Sequence, residues 1–249
     1  MQAVIRKDPL VDLLIHDLTG PLSIVSTSIN SLLSKEDRFG PIPDAQRETL
    51  ERILRNANKA KALLQEMIEV YRSEEGLFRK DEIVIVEVLR EALLDAVEII
   101  NPDMASKLAK TGNEKEFRLI LSKNGISVEV SGRYGQSPFV HDRKKIQQIM
   151  RNLITNALKY RKEKMKLTIS GDLDLVITVE DDGEGIPEEK QDYIFKRFFH
   201  LKNKTECGAE GLGFGLSCVK SLVETMRGEI VLKSGEGEGS CFTVRIPSL

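Results

Sequence analysis

The chain has 249 residues, 37 basic and 39 acidic side chains, and a formal net charge of −2. That length supports one large domain or two small ones with a real core. The near-balanced charge excludes the basic excess of a nucleic-acid footprint, so no nucleic-acid partner is expected. No run of about 18 apolar residues offers a transmembrane helix, and the opening MQAVIRKDPL lacks the apolar stretch of a signal peptide. Cys207, Cys218 and Cys241 are odd in number and unclustered, which gives no disulfide framework and no zinc spacing and fits a reducing, cytoplasmic compartment.

Val11, Ile15, Leu18, Leu22, Val25, Ile29 and Leu32 recur at alternating steps of four and three, the seam of a heptad helix. KEDRFGPIPD, with Gly40, Pro41 and Pro43, reads as a loop. A second seam follows through Leu50, Ile53, Ala57, Ala60, Leu64, Met67 and Tyr71. Two seams joined by a short loop make an antiparallel hairpin, and one hairpin cannot bury both. A second copy would complete a four-helix bundle, so a homodimer is expected.

From about Asp81 the pattern changes. IVIVEVLREALLDAVEII reads as a short strand and then a helix, and Ile126–Val130 alternates as a strand. Residues 101–124 carry no decisive pattern. Asp142 can cap a helix running through Lys159. LTIS and LDLVITVED flank Gly171–Asp172 as a β-hairpin, a helix starts near Gly215, and EIVLKS with SCFTVRIP forms a second hairpin. Helices mixed with largely antiparallel strands imply an α+β sandwich.

The unusual residues fall in four stretches. His16 lies one step off the first seam and should face solvent. It reads either as an ordinary surface residue or as a displayed group whose proton the adjacent Asp17 can accept. Gly20-Pro21 then breaks the helix rule, a defect that suggests either a mobile element or tolerated strain. Gln148, Asn152 and Asn156 recur every four residues, with Lys159 near the end, as one polar stripe. Asparagine is a mediocre helix former, so the stripe is either a solvated face or a set of amide oxygens suited to magnesium and phosphate. In VEDDGEGIP, Asp181 at a strand end can accept from an exocyclic amine such as adenine N6, while Gly183 and Gly185 allow a close turn; Asp-Asp-Gly is also simply a turn. In GLGFGLS, Gly211, Gly213 and Gly215 alternate before a helix, a loop able to offer N–H groups to phosphate that is neither a Walker loop nor a Rossmann fingerprint.

In this order, the motifs resemble the transmitter core of bacterial two-component sensor histidine kinases. HDLTGPL is similar to its phospho-acceptor motif, QIMRNLITNALKY to its asparagine box, VEDDGEGIP and GLGFGLS to its glycine boxes, IFKRFFH to its phenylalanine motif, and GEGEGSCFTVRIP to its closing glycine turn. The resemblance covers nearly the whole chain, residues 101–124 least. It implies an α+β chain with a dimerisation and phosphotransfer hairpin over residues 1–76, forming a four-helix bundle. An α/β-sandwich ATP-binding domain of the kind shared with HSP90, gyrase B and MutL would follow over 81–249. It implies that His16 attacks the γ-phosphate of magnesium-ATP and passes the phosphoryl group to an aspartate on a response regulator. Carried over by position, Asp17 orients or deprotonates the imidazole and Asn156 holds magnesium with Asn152 assisting. Lys159 and Tyr160 line the nucleotide site, Asp181 reads adenine, and Gly183, Gly185, Gly211, Gly213 and Gly215 shape the pocket. Residues 187–210 become a lid.

Two positions depart from the family pattern. Gly20 stands where threonine or asparagine commonly positions water, which implies weak phosphatase activity toward a regulator. His200 stands where an arginine commonly reaches phosphate, and Lys202 or Lys204 could substitute as a point charge or be merely solvated. His141 reads as structural. Two rivals stay open: an inactive scaffold or phosphotransfer protein of this fold, and a conformational ATPase. The expected compartment is the cytoplasm, as a soluble kinase or as the cytoplasmic part of a longer, membrane-associated sensor.

Overall fold

The computed structural model describes residues 9–73, 78–196 and 215–249. Two compact units divide the chain, Met1–Glu75 and Gly76–Leu249. In the first, α1 (Pro9–Ser34) and α3 (Asp44–Ser73) form the helical hairpin, with a single helical turn, α2 (Glu36–Phe39), inside the stretch expected to be loop. Pro43 starts α3: its carbonyl accepts the N–H groups of Gln46 and Arg47, both at 2.9 Å.

Pro21 lies within α1, which runs on without interruption. A proline ring normally clashes with the Cβ of the residue before it and pushes that residue out of helical conformation. Gly20 has no Cβ, and that allows the helix to continue. The two helices meet through Ile29, Ala57 and the buried Ser26, whose hydroxyl donates to Asn58 Oδ1 at 3.0 Å. The seams expected from the heptads are therefore only partly closed within one protomer: Leu18, Val25 and Ile53 are exposed, at 49%, 39% and 43%.

In the second unit, β1 (Asp81–Ile83) leads into α4 (Ile85–Ile100), α5 (Pro102–Ala109), α6 (Glu114–Lys123) and β2 (Ile126–Val130). A short 3-10 turn, β3 (Phe139–His141), α7 (Arg143–Tyr160), β4 (Met165–Ser170) and β5 (Asp174–Asp181) follow. The chain then forms α8 (Glu188–Gln191), α9 (Gly215–Thr225), β6 (Glu229–Gly235) and β7 (Gly239–Pro247). The five-stranded sheet has the order β2-β4-β5-β7-β6, with β2 parallel to β4 and the other pairs antiparallel. β1 and β3 pair separately, antiparallel.

Period-2 alternation sends Met165, Leu167 and Ile169 of β4, Leu175, Ile177 and Val179 of β5, and Phe242, Val244 and Ile246 of β7 into the core. Helix α7 covers them with Ile146, Ile149, Met150, Leu153, Ile154, Ala157 and Leu158, flanked by α4 and α9. Each of these side chains larger than alanine contributes about 1.5–3 kcal/mol when fully buried. The residues between them, such as Thr178 and Lys166, stay half-buried, so the domain is a two-layer α/β sandwich. Residues 101–124 resolve into two capped helices. Asn101 accepts the Met104 N–H at 3.0 Å, with Pro102 in the first turn, and Asn113 accepts the Glu116 N–H at 2.8 Å.

Candidate functional site

Helix α7 organises the site. Asp142 caps its start, with Oδ1 accepting the Lys145 N–H at 3.2 Å. Its apolar face is locked into the core, so Gln148, Asn152 and Asn156 are held on one flank, each half-buried. That flank meets α9. Gln148 Nε2 donates to Cys218 Sγ at 3.1 Å, and Asn152 Nδ2 donates to the Gly215 carbonyl at 3.4 Å. A Cβ added to Gly215 would lie 4.0 Å from both Asn152 Cγ and Asn156 Nδ2. The structure thus brings Asn152, Asn156 and Gly215 together. Lys159 is half-buried and Tyr160 exposed at the end of the helix, with the Lys159 ammonium 5.2 Å from the Tyr160 ring centre.

The same end of α7 touches the turn after β5. A Cβ on Gly183 would lie 2.4 Å from the Tyr160 carbonyl oxygen and 2.7 Å from Asp181 Oδ1, so only glycine fits. The Gly183 N–H donates to Asp181 Oδ1 at 3.0 Å. Burial pushes the Asp181 carboxyl above its ordinary range, against the Gly183 and Ser240 backbone donors. A half-buried carboxylate with few donors is suited to accept from an amine that arrives with a ligand. Gly185 has φ +74 and a Cβ there would lie 1.8 Å from the Gly235 carbonyl, which seats the β6–β7 turn against this loop.

Asp182, next in the chain, turns the other way. Its Oδ1 accepts the N–H groups of Lys162, Glu163 and Lys164 at 3.0, 3.0 and 2.9 Å. Burial works to raise its pKa, but these backbone donors win and hold the carboxyl below its ordinary range. Two further residues support the loop and carried no sequence signal. Ser234 Oγ accepts the Ile186 N–H at 2.8 Å, and Gln191 Nε2 donates to the carbonyls of Ile186 and Ser234, both at 3.0 Å.

His16 and Asp17 lie on α1 of the hairpin unit, one turn before Gly20-Pro21, and Asp17 is exposed. Lys202, Lys204, Gly211 and Gly213, with most of the expected lid, lie outside the described residues. His141 is fully buried at the head of α7, between Phe139 and Phe78, with ring centres 5.9 and 5.2 Å away. Its Nδ1 accepts the Asp142 N–H at 2.9 Å. It belongs to the packing of the domain.

The described residues form an α/β sandwich that gathers these side chains along α7, preceded in the chain by a helical hairpin. Residues 141–249 match the family described as histidine kinase-, DNA gyrase B-, and HSP90-like ATPases. The chain is 28% identical over 245 residues to the adaptive-response sensory kinase SasA of Crocosphaera subtropica, covering 97% of this chain and 59% of that protein. It is 30% identical over 240 residues to the autoinducer 2 sensor kinase/phosphatase LuxQ of Vibrio cholerae, covering 93% of this chain and 25% of that one. The chain thus spans 59% or less of the length of these two curated relatives. Among solved structures, full-length ShkA in complex with AMPPNP superposes with a TM-score of 0.69 at 19% identity, covering 98% of this chain and 46% of that one. The Acinetobacter baumannii histidine kinase AdeS gives 0.53 at 22% identity, covering 94% of this chain and 98% of that one. These two likenesses concern the fold. Residues 141–249 match the ATPase family named above, and nearly the whole chain is similar in sequence to proteins named as sensor kinases.

Proposed function

We propose that the chain is an ATP-dependent protein histidine kinase of two-component signalling. The observation that carries this reading is the meeting of the Asn152–Asn156 stripe with Gly215 on a helix whose far end closes on Gly183 beside Asp181. Adenine would lie against Asp181, with its N6 amine donating to the carboxylate, and the phosphates toward the start of α9. Lys159 and Tyr160 would line the site between them, with Gly185 shaping the turn, and Lys202, Lys204, Gly211 and Gly213 serving the phosphates from the lid.

Among the described residues no cluster of three or more His, Cys, Asp or Glu could hold a metal. The donors at hand are the amide oxygens of Asn156 and Asn152, hard ligands that fit magnesium shared with phosphates and water. When bound, magnesium supplies neutralisation of charge on the transferring phosphoryl group. The neutral His16 imidazole attacks the γ-phosphorus. An N–P bond forms as the bond to the β–γ bridging oxygen breaks, ADP leaves, and Asp17 takes the imidazole proton. The phosphoryl group then passes to an aspartate of a response regulator. The exposed Leu18, Val25 and Ile53 support a homodimer through the hairpin, and Gly20 supports weak phosphatase activity toward the regulator.

Nucleotide binding tests the site directly. ATP affinity should strengthen with magnesium, and Asn156→Ala should remove that gain. Affinity indifferent to magnesium in the unaltered protein would remove the metal role, and no ATP binding would remove the reading altogether.

A further inference from the structure

Asp181 and Asp182 are consecutive at the end of β5, so their side chains leave the strand on opposite sides. One faces the candidate nucleotide site. The other enters the loop that joins α7 to β4 and accepts three successive backbone N–H groups there, those of Lys162, Glu163 and Lys164. The Asp182 N–H returns to the Lys164 carbonyl at 3.3 Å, which closes a reciprocal clamp. A turn often leaves such N–H groups to water; here one carboxylate collects them all.

The clamp has a geometric consequence one residue further on. Gly183 is wedged between the Tyr160 carbonyl and Asp181 Oδ1, and its N–H holds that oxygen. Glycine is the residue most free to rotate, so its N–H stays aimed only while the backbone on either side is fixed. Gly185, pressed on Gly235, fixes the downstream side. Asp182 fixes the upstream side, by fastening it to the loop that continues α7.

We propose that Asp182 is a positioning residue for base recognition: by clamping residues 162–164 it holds the Gly183 N–H on Asp181 and so aims the carboxylate oxygen that accepts from adenine. This rests on the reading of Asp181 given above. Asp182 touches no nucleotide in this scheme. Its contribution is the order of its neighbour, and the carboxylate charge is secondary, because Oδ1 accepts all three N–H groups while Oδ2 adds only a longer bond from the Glu163 N–H, at 3.3 Å.

The test compares ATP with inosine triphosphate, which lacks the N6 amine, by equilibrium binding to the full chain, with thermal melting as a check on folding. The unaltered protein should prefer ATP, and Asp181→Ala should abolish the preference. Asp182→Ala should reduce it by about tenfold, the scale of one charge-assisted hydrogen bond, while inosine triphosphate affinity changes little. Asp182→Asn, which keeps one acceptor oxygen in place, should restore most of it. Should the alanine variant fail to fold, Asp182→Ser, whose shorter hydroxyl cannot span three N–H groups, should show the same loss in part. Equal weakening of both nucleotides, or an unchanged preference in the alanine and serine variants, overturns the proposal and leaves the Asp181 reading intact. A preference unchanged in Asp181→Ala overturns both.

Discussion

His141 predicts a pH dependence of stability whose sign follows from its surroundings. The ring is fully buried between Phe139 and Phe78, and its Nδ1 is already an acceptor for the Asp142 N–H. The proton of the neutral ring therefore sits on Nε2, which is buried and has no partner among the described residues. A second proton would have to enter at Nδ1, against a donor, and would bring a charge into an apolar slot. Burial pushes the imidazole down, and the Asp142 charge opposes it only in part. The other charged groups at this junction are committed: Asp142 Oδ2 accepts the Arg79 N–H, and Asp81 on the paired strand accepts the Arg143 N–H. With its folded pKa depressed, the residue binds its proton more readily in the unfolded chain. Its stabilising contribution is complete above the unfolded value, about 6.5, and is lost as pH falls below it. Between pH 7.5 and 5.5 the loss has a ceiling of about 1.4 kcal/mol, reached if only the unfolded chain takes up the proton. His141→Phe, which suits the two aromatic neighbours, should flatten that part of the profile. Urea unfolding of both proteins at several pH values measures it. Parallel profiles, or a parent that gains stability toward pH 5.5 relative to the variant, would refute the reasoning.

Other substitutions probe the site and the hairpin. Gly183→Ala drives a methyl against the Tyr160 carbonyl and Asp181. The forced shift should cost about 1–3 kcal/mol in melting experiments and weaken ATP binding further than stability alone explains; an alanine variant with parental affinity would contradict the close approach. Val25→Glu with Ile53→Glu puts charge on the exposed part of the hairpin seam. Sedimentation should then show monomer where the parent sediments as a dimer, and dimers in both would move the interface elsewhere. Gly20→Thr brings a Cβ against the Pro21 ring, so it is read only where circular dichroism shows parental helicity; it should then raise dephosphorylation of a phosphorylated regulator, and no gain at parental helicity would mean that position 20 does not limit that activity.

What the sequence made legible was local and periodic. The amide stripe of α7 stands out because residues four apart share a helix flank, and the β4–β5 hairpin because its alternation breaks only at Gly171–Asp172. The capped helices α5 and α6 were written in Asn101-Pro102 and in Asn113 followed by Glu116, but at 8 and 10 residues each is too short to repeat its apolar spacing, which shows once in Met104–Leu108 and once in Phe117–Leu121. The β1–β3 pair and the parallel β2–β4 pair join segments far apart in the chain, and three-residue strands carry too little alternation to announce themselves. Ser234 and Gln191 act through residues distant in sequence, and the Asp182 clamp depends on a loop with no pattern of its own. The heptad seams marked the hairpin, yet the helices close around Ser26 and Ile29 and leave Leu18 and Val25 outside.

Incubation with magnesium-ATP labelled at the γ-phosphate, alongside His16→Gln and Asn156→Asp, tests the proposed kinase activity most directly. The prediction is label on the protein that is stable to base, lost in acid, and absent from both variants. Label that persists in His16→Gln, or ATP turnover without any protein-bound label, would contradict it.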